Sequence, residues 1–265
     1  MYPVIVCIAK KEQDYIEEFV NYHLHLGFKH IYIYDNEDTP TYQALLQKYK
    51  DITVTHLPFN NYYKGVQYIA LQQFGKTHLH ASEITHVAHI DIDEFIVLKR
   101  HKNICKFIDE YIVGDCQGIG MNWRFFGSSG NTQKTNEPVT ARFTMCEKNG
   151  NEHIKTLFKK DNFIRFKTVH DILLRSGCIK STNGHVIDGP FNNKIDHSVI
   201  QLNHYKCKTL PEFRFIRTRQ RADVNHAIVE DVDQLFELHD KNEVEERTAC
   251  NFYKRVLCRQ NNMSA

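Results

Sequence analysis

The strongest local signal for chemistry is Asp91-Ile92-Asp93-Glu94, a run of acids that closes the apolar stretch Val87-Ala88-His89-Ile90. Read as one strand from Val87 to Phe95, residues two apart face the same way. Asp91 and Asp93 then project together while Ile90 and Ile92 pack behind them. Paired carboxylates at the carboxyl end of a buried parallel strand are costly unless a cation neutralises them, and that end of an α/β sheet is where ligands bind. A hard divalent ion is the natural occupant. The competing reading is that the acids simply end a strand, since D-x-D triplets are common.

Other residues invite weaker readings. Asp35-Asn36 follows a second apolar run, the position where mononucleotide-binding folds place an acid against ribose or base; on the residues alone an ordinary Asx turn is the preferred reading. His78, His80, His86 and His89 approach the acidic run, but they straddle a helix-to-strand junction, which favours packing or solvated histidines over a zinc site. Arg214, Arg217, Arg219 and Arg221 fall within eight positions. They read as a solvated helix face or as a clamp on a phosphate leaving group. Gly127-Ser128-Ser129-Gly130 is a candidate substrate loop, because glycine permits close backbone approach.

The elements that must position these residues follow from apolar spacing. Val4–Ala9, Ile31–Tyr34 and Ile52–His56 read as strands. Between them Lys11–Leu26, stopped by Gly27, and Thr41–Tyr49 read as helices, and a helix over Val66–Lys76 precedes the acidic strand. This alternation predicts a parallel sheet covered by helices. Beyond it come a helix at Ile104–Tyr111, strands near Gly118–Trp123, Phe163–Val169 and Val199–Leu202, and a charged helical stretch from 209 to 258. The chain of 265 residues carries 13 Tyr and 17 Phe, which excludes disorder as its main state. Its formal charge of +2 argues against a general nucleic-acid or membrane field, so any anion site must be local. No stretch approaches the length of a membrane helix. Eight scattered cysteines without C-x-x-C spacing suit a reducing compartment.

Several motifs occur in a telling order. Lys10-Lys11-Glu12 precedes Tyr15-Ile16-Glu17-Glu18-Phe19 and Tyr22-His23, then Gly27-Phe28 through Tyr34-Asp35-Asn36. Gln67, Ala70 and Asp91-Ile92-Asp93-Glu94-Phe95 continue the series. Met121-Asn122-Trp123-Arg124-Phe125-Phe126 with the Gly127–Gly130 loop follows, and Asn203-His204-Tyr205-Lys206 with Thr209, Glu212-Phe213 and Arg217 completes it. From about residue 4 to 221 the chain resembles glycosyltransferase family 92 (formerly domain of unknown function 23) and related family 2-type sequences.

The resemblance implies an α/β fold of the GT-A type, Rossmann-like, with a mostly parallel sheet flanked by helices and a helical C-terminal tail. It divides the chain into a transferase domain (1–221) and a C-terminal helical extension (222–265). Within the domain, residues 1–100 form a nucleotide-sugar half and 101–221 an acceptor half. It implies transfer from a nucleoside diphosphate sugar, expected to be a uridine one, to a hydroxyl of a glycan or glycoconjugate, with Mn²⁺ or Mg²⁺ on the diphosphate. Ala9, Lys11, Glu12, Asp35, Gln67, Asp91 and Ile92 are then expected at the nucleotide sugar. Asp91 and Asp93 with His204, or its rival His170, are expected at the metal, and Lys206 and Arg217 at the phosphates. Trp123 and Gly127, Ser128, Ser129 and Gly130 are expected at the sugar or acceptor. Asp171 and Asp188 are the candidate general bases of the acceptor half. Lys-Lys-Glu replaces the usual Lys-Asn-Glu, which puts the contact at Lys11 in question. The expected location is cytoplasmic, in a bacterium or, for a virus-encoded protein, its host. Two other readings share the paired acids: a metal-dependent nucleotidyl- or phosphotransferase, and a catalytically inactive sugar-binding module. Neither a P-loop nor a kinase motif set supports the first.

Overall fold

The computed structural model describes residues 1–58, 65–80, 83–217 and 231–263. Its first part alternates as the apolar spacing predicts: β1 (Pro3–Ala9), α1 (Ile16–Leu26), β2 (His30–Asp35), α2 (Tyr42–Leu45), β3 (Ile52–His56), α3 (Val66–Thr77) and β4 (His86–His89). These strands pair in parallel in the order β3-β2-β1-β4. β1, β2 and β4 are buried along almost their whole length, as parallel strands covered by helices must be. Then follow β5 (Glu94–Leu98), α4 (Ile104–Tyr111), β6 (Cys116–Phe125), α5 (Val139–Arg142), β7 (Met145–Cys146), β8 (Ile154–Lys159), β9 (Phe163–Phe166) and β10 (Ile172–Leu174). The chain ends with β11 (Cys178–Lys180), β12 (Val186–Ile187), β13 (Ile200–His204), α6 (Leu210–Arg217), α7 (Val232–His239), β14 (Val244–Glu245) and α8 (Thr248–Met263).

The expected α/β class holds, with a difference in the second half. β8 lies antiparallel between β4 and β6, so the sheet changes from parallel to mixed there. β13 bridges β6, in parallel, and β5, antiparallel. Among the described residues, the helical stretch expected at 209–258 is three helices with a short strand among them. β14 pairs with β7, and Ala249, Tyr253 and Val256 of α8 enter the same core as α1, so this tail is built into the domain. Arg219 and Arg221 lie outside the described residues.

The acidic strand is corrected. Val87–Phe95 is not one strand: β4 stops at His89, a turn carries Asp91 and Asp93, and β5 starts at Glu94. Asp91 and Asp93 therefore do not share a strand face, and the turn, not the pleat, sets their directions.

The position of that turn depends on how α1 seats β5. Ile16, Phe19, Val20, Tyr22, His23 and Leu26 form the buried stripe of α1. Tyr22 donates its hydroxyl to the Ile96 carbonyl at 3.1 Å, and His23 Nε2 accepts the Ile96 N–H at 3.2 Å. His23 Nδ1 donates to the Phe19 carbonyl at 2.9 Å. Full burial pushes its pKa down to about 3, so the ring is neutral and structural. α1 ends at Gly27, whose φ of 110° lets its N–H reach the carbonyls of His23 and Leu24. A Cβ there would lie 2.2 Å from Asn103, the residue that caps α4.

Candidate active site

The turn between β4 and β5 lies at the carboxyl edge of the parallel strands. Its backbone is closed by Glu94, whose N–H donates to the Asp91 carbonyl at 3.0 Å and whose carboxylate accepts the Asp91 N–H at 2.8 Å. The three acids then separate. Asp91 accepts a hydrogen bond from Gln67 on α3 with one oxygen and lies 3.1 Å from Lys155 Nζ with the other. Asp93 lies 3.5 Å from His204 Nε2 at the end of β13. Its carbonyl accepts the Tyr205 N–H at 2.8 Å, which ties the turn to β13. Glu94 points into the protein, completely buried, and its Oε1 has no hydrogen-bond partner among the described residues. Burial raises its pKa well above the carboxylate range, and the neighbouring charges of Asp91 and Asp93 add to this while Lys155 opposes it.

Lys155 is the residue that sequence reasoning missed. It sits inside the apolar run of β8 with its side chain 1% exposed, and it also donates to the Val169 carbonyl at 3.1 Å. Burial alone would lower its pKa; the carboxylates of Asp91 and Glu94 outweigh that and keep it charged. A lysine within Ile154-Lys155-Thr156-Leu157-Phe158 was the available signal, because an ammonium on a fully buried strand needs an acid partner.

The two candidate histidines fall on opposite sides of the turn. His204 is against Asp93, and its Nδ1 lacks a partner among the described residues. His170 donates from Nδ1 to the Ile154 carbonyl at 2.9 Å, and burial together with Lys155 pushes its pKa down to about 4. Between them stands Trp123, whose ring centre is 4.5 Å from that of His204 and 5.2 Å from that of His170. His153 stacks on Trp123 at 4.9 Å and meets the exposed Phe191 at 4.6 Å, so an aromatic shelf runs from the surface to the acid turn. The buried amides of Asn122 and Asn192 bond to each other and hold the loops beneath this shelf. On the far side of His204, Lys206 Nζ is 2.8 Å from His239 Nε2, and Arg217 closes α6 over the Phe213 ring. Burial, then the charges of Lys206 and Arg217, push the His239 pKa down to about 4.

Several expected residues lie elsewhere or have other partners. Asp35 is wholly buried, and its carboxylate accepts the N–H groups of Glu37 (3.0 Å), Thr41 (2.7 Å) and Tyr42 (3.0 Å). The Asx-turn alternative describes it: the acid folds the loop after β2 and starts α2. Lys11 takes a left-handed φ of 57° and donates its N–H to Glu37, while the Glu12 N–H donates to the Tyr42 hydroxyl at 2.9 Å. Ala9 and Ile92 are buried in the core, so only their backbone could meet a ligand. The Gly127–Gly130 loop packs on its own chain. A Cβ on Gly127 would lie 2.5 Å from both Asn242 Oδ1 and the Lys241 carbonyl, and Ser128 and Ser129 bond to Asp240 and Asn242. The close approach that glycine allows here is to the segment after α7 rather than to a sugar. Asp171 pairs with Lys167 at 3.2 Å in the β9–β10 turn, and Asp188 is exposed. Neither contacts the acid turn in the described structure. Of the four histidines first considered for zinc, His89 is buried against Phe158 and Phe166, with its pKa down to about 3 through burial and Lys155.

Among the described residues no three His, Cys, Asp or Glu side chains are grouped to hold a metal ion. Asp93 and His204 are the pair that fits one. Two donors on adjacent corners of a small octahedral cation lie ~3 Å apart, close to the 3.5 Å seen, and such ions are commonly held by one or two protein groups plus substrate phosphates. Among the described residues no helix is long and apolar enough to cross a membrane.

No protein of curated function matches the chain. Solved structures to which parts of the chain are similar include Staphylococcus aureus TarS (residues 1–349), 17% identical with a TM-score of 0.38 over 60% of this chain. The chain spans about half of that structure, 47%. HddC from Yersinia pseudotuberculosis is 11% identical with a TM-score of 0.36, over 60% of this chain and 77% of HddC. Core-mannan synthase A from Aspergillus fumigatus, in a Mn/GDP form, is 4% identical with a TM-score of 0.32, over 61% of this chain and 60% of the synthase. The sequence profile of glycosyltransferase family 92 matches residues 2–239, and with nearly the whole chain covered, this protein is a member of that family.

Proposed function

We propose that the protein transfers a sugar from a nucleoside diphosphate sugar, with uridine as the nucleoside, to a hydroxyl of a glycan or glycoconjugate. Asp93 and His204 serve as the protein's donors to Mn²⁺ or Mg²⁺. The observation that carries this reading is the placement of these two groups, 3.5 Å apart, beside a carboxylate already neutralised by lysine. Bound there, a divalent ion would neutralise charge growing on the departing diphosphate. Lys206 and Arg217, with His239 beside them, lie where cations would share the phosphate oxygens. Trp123 and His153 offer flat apolar faces next to the donor carboxylates, a surface suited to the C–H face of a pyranose. Asp35, Lys11 and Glu12 act through the loops they hold after β1 and β2.

The test is incubation with Mn²⁺ and a panel of nucleotide sugars. Slow release of free sugar and nucleoside diphosphate, abolished by EDTA, is the expected result. Release of pyrophosphate would instead mark a nucleotidyltransferase, and binding without turnover a sugar-binding module.

A further inference from the structure

Lys155 is an unusual neighbour for a metal-binding acid turn. A buried ammonium 3.1 Å from Asp91 already supplies the positive charge that this carboxylate would otherwise seek from a cation. It is not free to swing away, because it also donates to the Val169 carbonyl and its side chain is 1% exposed. The Gln67 amide holds the second Asp91 oxygen, so that carboxylate is constrained from two sides. Asp93 bends toward His204 instead. The turn thus has one carboxylate held by lysine and one set against a histidine.

We propose that Lys155 is a built-in counter-cation that withholds Asp91 from the metal and leaves the ion to Asp93 and His204. The assignment deepens the glycosyl-transfer reading and rests on it for the identity of the donor. The physical reason is charge count. An ion between two free carboxylates is held tightly before any donor arrives, whereas one carboxylate and one imidazole hold it weakly until a diphosphate adds its own oxygens. Lys155 would therefore couple metal binding to donor binding. It is a positioning residue, since it acts through Asp91 and does not itself touch the donor.

Removing the lysine should have an effect opposite to ordinary damage. Lys155→Met keeps the length and burial of the side chain but frees Asp91 for a cation. Mn²⁺ titration followed by electron paramagnetic resonance, without nucleotide, should show binding about fivefold or more tighter than in the wild type, because a second carboxylate joins the site. The added benefit of UDP to Mn²⁺ affinity should shrink in step. Lys155→Arg should keep wild-type behaviour, since a guanidinium also neutralises Asp91. The double variant Lys155→Met/Asp91→Asn removes cation and carboxylate together; it should return Mn²⁺ affinity to the wild-type level, and it is the safer variant if the single one folds poorly. Tighter Mn²⁺ binding that depends on Asp91 supports the assignment even if no sugar is transferred, so failure of the transferase reading would be seen separately in the hydrolysis assay. Folded Lys155→Met with unchanged or weaker Mn²⁺ binding, or a double variant that binds Mn²⁺ as tightly as Lys155→Met, would overturn it.

Discussion

The Arg142–Glu212 pair is buried on both sides, whereas in the Asp91–Lys155 pair the lysine is buried and the aspartate half-buried, and the two are finished differently. Both Glu212 oxygens are filled: Arg142 donates from Nη1 and Nη2 at 3.0 and 2.7 Å, Tyr15 from its hydroxyl at 2.9 Å, and Thr209 from its hydroxyl at 2.6 Å. That cluster joins α1, α5 and α6 and leaves the carboxylate nothing to offer a ligand. Around the acid turn, Glu94 Oε1, His204 Nδ1 and Trp123 Nε1 have no hydrogen-bond partner in the described structure. A buried polar group without a partner costs about 1–3 kcal/mol; Arg142 Nε is another such atom, so the difference lies in the carboxylates, Glu212 being closed by arginine, tyrosine and threonine while Glu94 keeps one oxygen without a partner in the described structure. The contrast separates the scaffold of the chain from its working edge.

The comparison is broken most severely at Asp93. Asp93→Asn should lower donor hydrolysis about a thousandfold, the scale of a lost metal-assisted leaving-group step, while the thermal melt stays within a few degrees. A steady-state assay beside a melting curve checks both halves of this expectation. Arg142→Ala should do the reverse. It strands a buried carboxylate and should cost about 3–5 kcal/mol of stability, with specific activity of the folded fraction preserved. Chemical denaturation measures the loss, and an intact melting point in that variant would remove Arg142 from the scaffold.

The same pair sharpens the comparison through pH. Burial would raise the Glu212 pKa, but the bonds from Arg142 and Thr209 outweigh it and bring the value down to about 2. A depressed carboxylate stabilises the fold above its unfolded pKa, and the contribution disappears as pH falls toward the folded one. Roughly 3 kcal/mol should therefore fade between about pH 4.5 and pH 2. In Glu212→Gln the slope of unfolding free energy against pH over that window should flatten. An unchanged slope would show that other groups govern acid unfolding. The smallest effect concerns Asp35: as a helix-start acid its replacement by Ala should cost about 1–2 kcal/mol. UDP affinity of the folded variant should change by less than about threefold, under 1 kcal/mol. Calorimetry showing a much larger loss would return Asp35 to the nucleotide site.

How much of this was legible in the sequence follows from the range of the interactions. β1, α1 and β2 could be read because their apolar spacing is local, and Gly27 marked the end of α1 by its chemistry. The break between β4 and β5 could not. Ile90 and Ile92 are buried like strand residues, and no glycine or proline punctuates the turn, so a change of pairing partner looked like one long strand. Of the site, the acid run, Gln67, His204 and Trp123 were visible as motif residues. Lys155 and the Arg142 partner of Glu212 were not, because each meets its carboxylate across a long sequence separation that only the fold closes. The packing of Gly127 was hidden for the same reason: the chain segment that crowds it lies more than a hundred residues away.

Calorimetric titration of UDP, with and without Mn²⁺, into the wild type and Asp93→Asn tests the account most directly. With Asp93 and His204 as the metal's protein donors, UDP should bind the wild type measurably only with Mn²⁺ present, and Asp93→Asn should lose this Mn²⁺-dependent binding while remaining folded. Equal UDP binding by both proteins in Mn²⁺, or wild-type binding indifferent to EDTA, would contradict it and leave Asp91-Ile92-Asp93-Glu94 as the end of a strand and nothing more.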